Sequence, residues 1–142
     1  MKDVNNALFK AYYDAITALD IMPVYEGEEP DDVKDKLYCV ISDPVITEAS
    51  TDNSSDMTAT IQVAVHSWEY KYNSSYTLNA NLDVIFQALK PTSSSVLDLS
   101  AFNFQMMNLK VDQDRTERFG ELGGKNYISR IIIFSQQIFV IS

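Results

Sequence analysis

The stretch from Met57 to Trp68 restricts the fold more than any other part of the chain. Met57, Ala59, Ile61, Val63 and Val65 fall on one parity, and Thr58, Thr60, Gln62 and His66 on the other. Successive side chains of a strand point to opposite faces, so this split predicts a strand with one face buried and the other polar. Such a strand calls for a layer over its apolar face.

Two segments have the periodicity to supply that layer. Val4, Ala7, Leu8, Ala11, Tyr12, Ala15 and Leu19 recur at helical spacing, with Asp3 placed to cap the start and Pro23 marking the end. A second helix is expected over Tyr76 to Leu89, capped by Ser74 or Ser75 and closed by Pro91. Its apolar stripe is Leu78, Leu82, Ile85, Phe86 and Leu89.

The remainder reads as β. Leu37 to Ser42 (LYCVIS) predicts a strand that Pro44 soon interrupts, Val96 to Leu99 a short strand, and Tyr127 to Ile141 a long one. In a further strand, Phe102 to Val111, the alternation of Phe102, Phe104 and Met106 shifts to Met107, Leu109 and Val111, which predicts a bulge near Met106. Residues 24 to 36 read as an acidic surface loop and residues 50 to 56 as a polar turn. Residues 112 to 125 (DQDRTERFGELGGK) read as a long charged hairpin tip ending at the Gly123-Gly124 pair. The sum is an α+β fold, a mostly antiparallel β-sheet with two amphipathic helices packed on one face. Its expected core is Ile61, Val63, Val65, Leu82, Ile85, Phe86, Ile132 and Phe134. The 142 residues, without repeat or linker, make one domain spanning 1–142.

Charge narrows the function classes. The net charge of −9 belongs entirely to residues 1–60, which hold 13 acidic and 4 basic side chains, while residues 61–142 hold 7 of each. That imbalance repels phosphate and argues against a tight nucleic-acid-binding module. A single cysteine cannot form an internal disulfide, which points to a reducing compartment such as a cytoplasm. No apolar run approaches the roughly 20 residues that span a bilayer, and the first residues lack a signal-peptide core, so neither membrane insertion nor secretion is expected.

No catalytic, cofactor-binding or metal-binding constellation emerges, and the expectation is that the protein is not an enzyme. His66 is the only histidine, which precludes a multi-histidine metal site within one chain, and it reads as a surface or interface residue instead of a member of a catalytic triad. Cys39, inside an apolar strand, reads as a buried inert thiol. The cluster Glu28, Glu29, Asp31, Asp32 and Asp35 lacks the alternating ligands and fixed glycine of a calcium loop, and GELGGK lacks the spacing of a phosphate loop. Trp68, Tyr70, Tyr72 and Tyr76, broken by Glu69, Lys71 and Asn73, have the composition of a protein contact surface. The same segment also suits a strand-to-helix connection packed on its own core.

Taken in order, NALFKAYYDAI, LYCVIS, TATIQVAVHSW, YTLNANLDVIFQAL, FNFQMMNLKV and SRIIIFSQQIFVI cover nearly the whole chain. In that order and texture the chain resembles the tail terminator (tail completion) proteins of long-tailed phages and related neck ring proteins. It departs from them in the acidic insertion at residues 24–36. The resemblance implies a structural virion protein without cofactor or catalysis, made in a host cytoplasm. It further implies a homo-oligomeric ring, hexameric or larger, in the neck or tail, contacting other neck, tail or portal proteins and passing DNA without specific binding. On that reading the subunit interface draws on Trp68, Tyr70, Tyr72, Tyr76, Arg115, Arg118 and Lys125, and the acidic loop Glu28 to Asp35 faces the channel or the outside. The alternatives are a head-completion or portal-adjacent ring protein and, from another class, a small ligand-binding domain or enzyme with an enclosed pocket.

Overall fold

The computed structural model describes residues 3–27, 37–48, 57–70, 76–122 and 125–141. The alternating stretch is β4, Met57–Tyr70, and it is central: it pairs along its whole length with β6, Lys125–Val140, from Met57 opposite Ile138 to Tyr70 opposite Lys125. On its other side β4 carries two strands in tandem, β2 (Leu37–Ile41) and β3 (Val45–Glu48), both antiparallel to it. Pro44 separates these two, where an interruption is expected. A three-residue strand β1, Val24–Glu26, runs parallel to β2, and β5, Phe104–Leu122, forms the far edge beyond β6. The order across the six-stranded sheet is β1-β2-β4-β6-β5, with β3 beside β4.

Helices α1 (Asn5–Thr17) and α2 (Tyr76–Leu89) lie together on one face of this sheet. Leu8, Tyr12 and Ile16 of α1 and Leu78, Leu82, Ile85 and Leu89 of α2 are buried against Ile61, Val63, Ile132 and Phe134. The expected core is therefore present, except that Phe86 is half-buried, its ring meeting Phe134 edge-on at 6.1 Å between centroids. The buried stripe of α2 repeats at Leu78, Leu82, Ile85 and Leu89, and Phe86 sits on its flank.

One polar link ties α1 to the centre of the sheet. Gln136 projects from β6 into the core, accepts the Tyr12 hydroxyl hydrogen at 2.5 Å and donates to the Ala59 carbonyl at 2.7 Å. Tyr12 and Gln136 are almost wholly buried, so this link satisfies groups whose desolvation would otherwise be costly.

Several boundaries differ from the sequence expectation, each for a local reason. Helix α1 stops at Thr17 instead of running to Leu19: turn-type bonds from Leu19 and Asp20 to Ile16 and Thr17 tighten the chain, and Asp20 then takes a left-handed φ of 52°. Asp3 does serve the helix start, accepting from the Asn5 amide at 2.9 Å, although Val4 occupies the capping position. Val24–Glu26, expected as loop, adds to the edge of the sheet, because three residues suffice for a parallel ladder but are too few to show a period. Val96–Leu99, expected as strand, is irregular and leads into a 3-10 turn at Ser100–Phe102. The polar turn expected over residues 50–56 lies outside the described residues.

The largest correction concerns residues 112–125. Residues 112–122 are not a hairpin tip: β5 continues to Leu122 and β6 begins at Lys125, so charged residues 112–118 are strand. In this edge strand residues 110–118 are exposed or half-buried, and charge there discourages uncontrolled edge pairing. The bulge in β5 falls slightly later than Met106. Its register with β6 shifts between Met107 and Lys110, with Asn108 at φ 55°, so that Phe104, Met106 and then Leu109 all reach the core. The Lys90 ammonium donates to the Leu109 carbonyl within this bulge. Two further shifts follow, between Val111 and Gln113 and between Phe119 and Glu121.

These burials separate two superficially similar truncations. Leu82→Ala is expected to cost about 2 to 5 kcal/mol, while Phe86→Ala should fall below the roughly 3 to 5 kcal/mol typical of core aromatics. Urea titrations of the two variants measure this order, and a larger loss at Phe86 would show that the helix faces are misassigned.

Candidate assembly surface

The helices cover one face of the sheet and leave the other to be characterised strand by strand. On the opposite face, termed the open face because neither helix lies on it, β2 places Tyr38 and Val40, both buried, and β3 places Val45 and Thr47. β4 presents Thr58, Thr60, Gln62, Ala64 and His66, and β6 presents Tyr127, Ser129, Ile131, Ile133, Ser135, Gln137 and Phe139. None of these bears a carboxylate, ammonium or guanidinium, although the chain carries a net charge of −9. Charge enters this face on β5, through Lys110, Arg115 and Glu117. Val45 and Met107 are its most exposed apolar side chains, at 64% and 42%.

At one end of the open face a row of rings crosses four strands. Tyr25 on β1 meets Tyr38 on β2 edge-on at 6.1 Å, Tyr38 stacks on His66 at 4.9 Å, and His66 stacks on Tyr127 at 5.7 Å with planes 1° apart. Hydroxyl groups knit the row: the Tyr38 and Tyr127 oxygens are 2.8 Å apart, and His66 Nδ1 lies 2.9 Å from the Tyr127 oxygen and 2.5 Å from Ser129 Oγ. His66 and Ser129 are direct cross-strand partners, and Ser129 is fully buried. Their contact therefore acts as a tie between β4 and β6. Sequence reasoning treats His66 as a surface or interface residue; it is half-buried within this stack. The ring row escapes sequence reading because Tyr25, Tyr38, His66 and Tyr127 become neighbours only once the register of four strands is known.

The residues expected to form a subunit interface divide. The backbone sets Trp68 opposite Tyr127 and Tyr70 opposite Lys125, while Lys125 also pairs with Leu122 and Phe119 with Tyr127. The end of the aromatic segment and the end of the β5–β6 hairpin are thus adjacent in the sheet. Tyr76 is the first residue of α2. Arg115 and Arg118 are set apart: Arg115 shares the open face with Glu117, to which it is ion-paired at 2.9 Å, whereas Arg118, opposite Ile128, lies on the helix side. Tyr72 and the acidic residues Glu28, Glu29, Asp31, Asp32 and Asp35 lie outside the described residues.

On the helix side, Arg130 forms a bidentate pair with Asp114, both distances 2.6 Å, and also donates to Asn79 Oδ1 at 2.8 Å. This fork joins α2, β6 and β5 and holds the charged half of β5 in place. Among the described residues no group of three histidine, cysteine or acidic side chains is placed to hold a metal ion, and no helix is long and apolar enough to cross a membrane. The hollows that described residues line are shallow. One of about 460 Å³ lies between Thr58, Asn108, Lys110, Ser135 and Gln137, and a second of about 390 Å³ follows Ser93–Val96 against Met106–Leu109. A third, of about 250 Å³, lies between Leu97, Asp98, Ser100, Phe104 and Ile141, so an aspartate lines one of the three, and no tyrosine lines any of them.

Neither a protein-family model nor a curated protein matches the sequence. Solved structures do match the fold. One is a chain in the virion of a native gene transfer agent particle, with a TM-score of 0.65 over 94% of this chain and 96% of that one. The two chains are 16% identical, so the likeness establishes a common architecture from end to end. The observed α+β sheet with two helices is thus an arrangement that recurs in a particle component.

Cys39 is buried on β2 facing Val65, and burial pushes its thiol up to about 12. The Tyr12 phenol is raised by burial as well. Both groups keep their protons in the folded state at pH values where the unfolded chain releases them. The stability they contribute is complete below the ordinary thiol value near 9.0 and declines as pH rises toward about 12. The denaturation midpoint should fall across that window, later and less steeply in Cys39→Ala, and a thiol reagent at pH 8 should label Cys39 only in step with unfolding. Immediate labelling of the native protein would contradict the burial.

Proposed function

We propose that this chain is a structural component of a tailed-phage or phage-like virion. It assembles as a closed homo-oligomeric ring, hexameric or larger, at the neck or tail end, joins head to tail and lets DNA pass. The observation that carries this reading is the end-to-end likeness to a chain of the gene transfer agent virion. Element order and texture, which resemble tail terminators and neck ring proteins, support the same position.

The physical features suit such a part. An annulus around DNA must not bind it, and a chain of net charge −9 with its excess in residues 1–60 repels phosphate. A ring subunit must also meet its neighbours, and a sheet face whose described side chains on β2, β3, β4 and β6 are uncharged lets acidic copies approach without a like-charge penalty there. The aromatic residues Trp68, Tyr70, Tyr72 and Tyr76 and the hairpin with Arg115, Arg118 and Lys125 serve on this reading as subunit contacts. The adjacency of Trp68 and Tyr70 to the end of that hairpin lets one neighbour engage both. Glu28, Glu29, Asp31, Asp32 and Asp35 face the channel or the outside. The protein works as one domain, without cofactor or chemistry of its own, alongside other neck, tail or portal proteins.

Complementation of a phage defective in this protein tests the reading. Trp68→Ala together with Arg115→Glu and Arg118→Glu should leave heads and tails unjoined in electron micrographs, with infectious titre lowered by orders of magnitude. Reversing the two arginines separately tells which side of the sheet matters more. Full titre from the triple variant would remove the assigned interface, and particles from which the protein is missing would remove the virion role.

A further inference from the structure

Edge strand β5 pairs with β6 on one side only, and among the described residues no segment makes backbone hydrogen bonds to its outer edge between Gln113 and Arg118. The register with β6 is irregular between Val111 and Gln113 and again between Phe119 and Glu121, so these shifts bracket one regular run, Gln113–Phe119. Thr116 is the middle residue of that run. A regular, unpaired edge of this kind is a template for another strand.

The charges on the run are arranged about the same residue. Asp114, Arg115, Thr116, Glu117 and Arg118 read negative, positive, neutral, negative, positive. In reverse order every sign is inverted. A second copy laid antiparallel with Thr116 opposite Thr116 therefore sets Asp114 against Arg118 and Arg115 against Glu117, each twice by symmetry, and no like charges meet. Opposed residues also share a face, Asp114 and Arg118 on the helix side and Arg115 and Glu117 on the open face. Sliding the copy by one residue sets Arg115 against Arg118 or Asp114 against Glu117, and sliding it by two sets Arg115 or Glu117 against itself. Charge on this edge thus favours one register over its neighbours. The equal mixture of signs, which gives no net attraction to an acidic or basic partner, is what a self-pairing edge requires. The side chains are available for it: Arg118 is exposed without an ion-pair partner among the described residues, and Asp114, steadied by Arg130, keeps 31% of its side chain exposed and has lone pairs for a second guanidinium.

We propose that the free chain forms a two-fold dimer in which β5 of one copy pairs antiparallel with β5 of another about Thr116, one sheet running through both. The dimer does not depend on the ring reading. On that reading it occupies Arg115 and Arg118, which are assigned there to ring contacts, and so it is a reserve form that opens before assembly.

Cross-linking tests the axis. On a two-fold axis a residue faces its own counterpart, so full-length Thr116→Cys treated with a short bis-maleimide should give a covalent dimer. Gln113→Cys, about 20 Å from its counterpart at roughly 3.3 Å per residue, should give several-fold less, and the wild type, whose Cys39 is buried, none. Sedimentation equilibrium tests the charges: Arg115→Glu and Glu117→Arg should each dimerise roughly ten-fold more weakly than the wild type, and their equimolar mixture should recover as a heterodimer. Thermal melts matching the wild type show that the variants fold; should either fail to, Arg118→Asp makes the same single-variant test. A wild type that stays monomeric to its solubility limit, equal cross-linking at positions 113 and 116, or a mixture that does not recover would each overturn the dimer. The two readings fail separately: rings without cross-linking at position 116 at any stage remove the dimer and leave the ring, and a dimer with no ring, even beside its virion neighbours, does the reverse.

Discussion

The antiparallel ladder between β4 and β6 is the constraint on which the rest of the molecule depends. It pairs every residue of β4, and its two faces set up two different environments. On one, Ile61, Val63, Ile132 and Phe134 form the floor that receives both helices. Gln136 on the same floor fixes where α1 lands, because its amide reaches the Ala59 carbonyl while its oxygen takes the Tyr12 hydroxyl. An apolar floor alone would let a helix slide; a buried polar group with specific partners narrows the choice. On the other face the same ladder aligns His66 with Ser129 and brings Tyr38 and Tyr127 to either side of the imidazole.

The parts of the fold legible in sequence are those in which burial and period coincide. The parity of Met57 to Val65 and the stripe Leu78, Leu82, Ile85, Leu89 both translate directly into the observed core. Edges were hard to read because burial no longer marks them. Residues 112–118 of β5 carry acidic and basic side chains at close spacing, which in isolation resembles a loop; only pairing with the apolar β6 makes them strand. The ring row on the open face was illegible for another reason, since its four members come from four strands and nothing local to any of them announces the others. The proposed contact residues are partly legible: composition singles out Arg115 and Arg118 together, but three residues of strand place them on opposite faces.

Electrostatics link the fold to its proposed role. The acidic excess belongs to the first part of the chain, while the described part of β5 mixes both signs. Because β1 and β3 come early in the chain and β5 late, the topology converts an asymmetry along the sequence into an asymmetry across the sheet. Among the side chains described, the open face between the flanks is uncharged on β2, β3, β4 and β6. A subunit with unlike flanks and a neutral face is suited to repetition around an axis, and its net charge is suited to an axis occupied by DNA.

The most direct test of this account is a cryo-electron microscopy map of the virions that carry the protein. The account predicts density for this fold at the neck or tail end, repeated around the DNA channel as a closed ring of contacting copies. Virions in which the fold is absent from that position, or in which it occurs as isolated copies without contact between them, would contradict it.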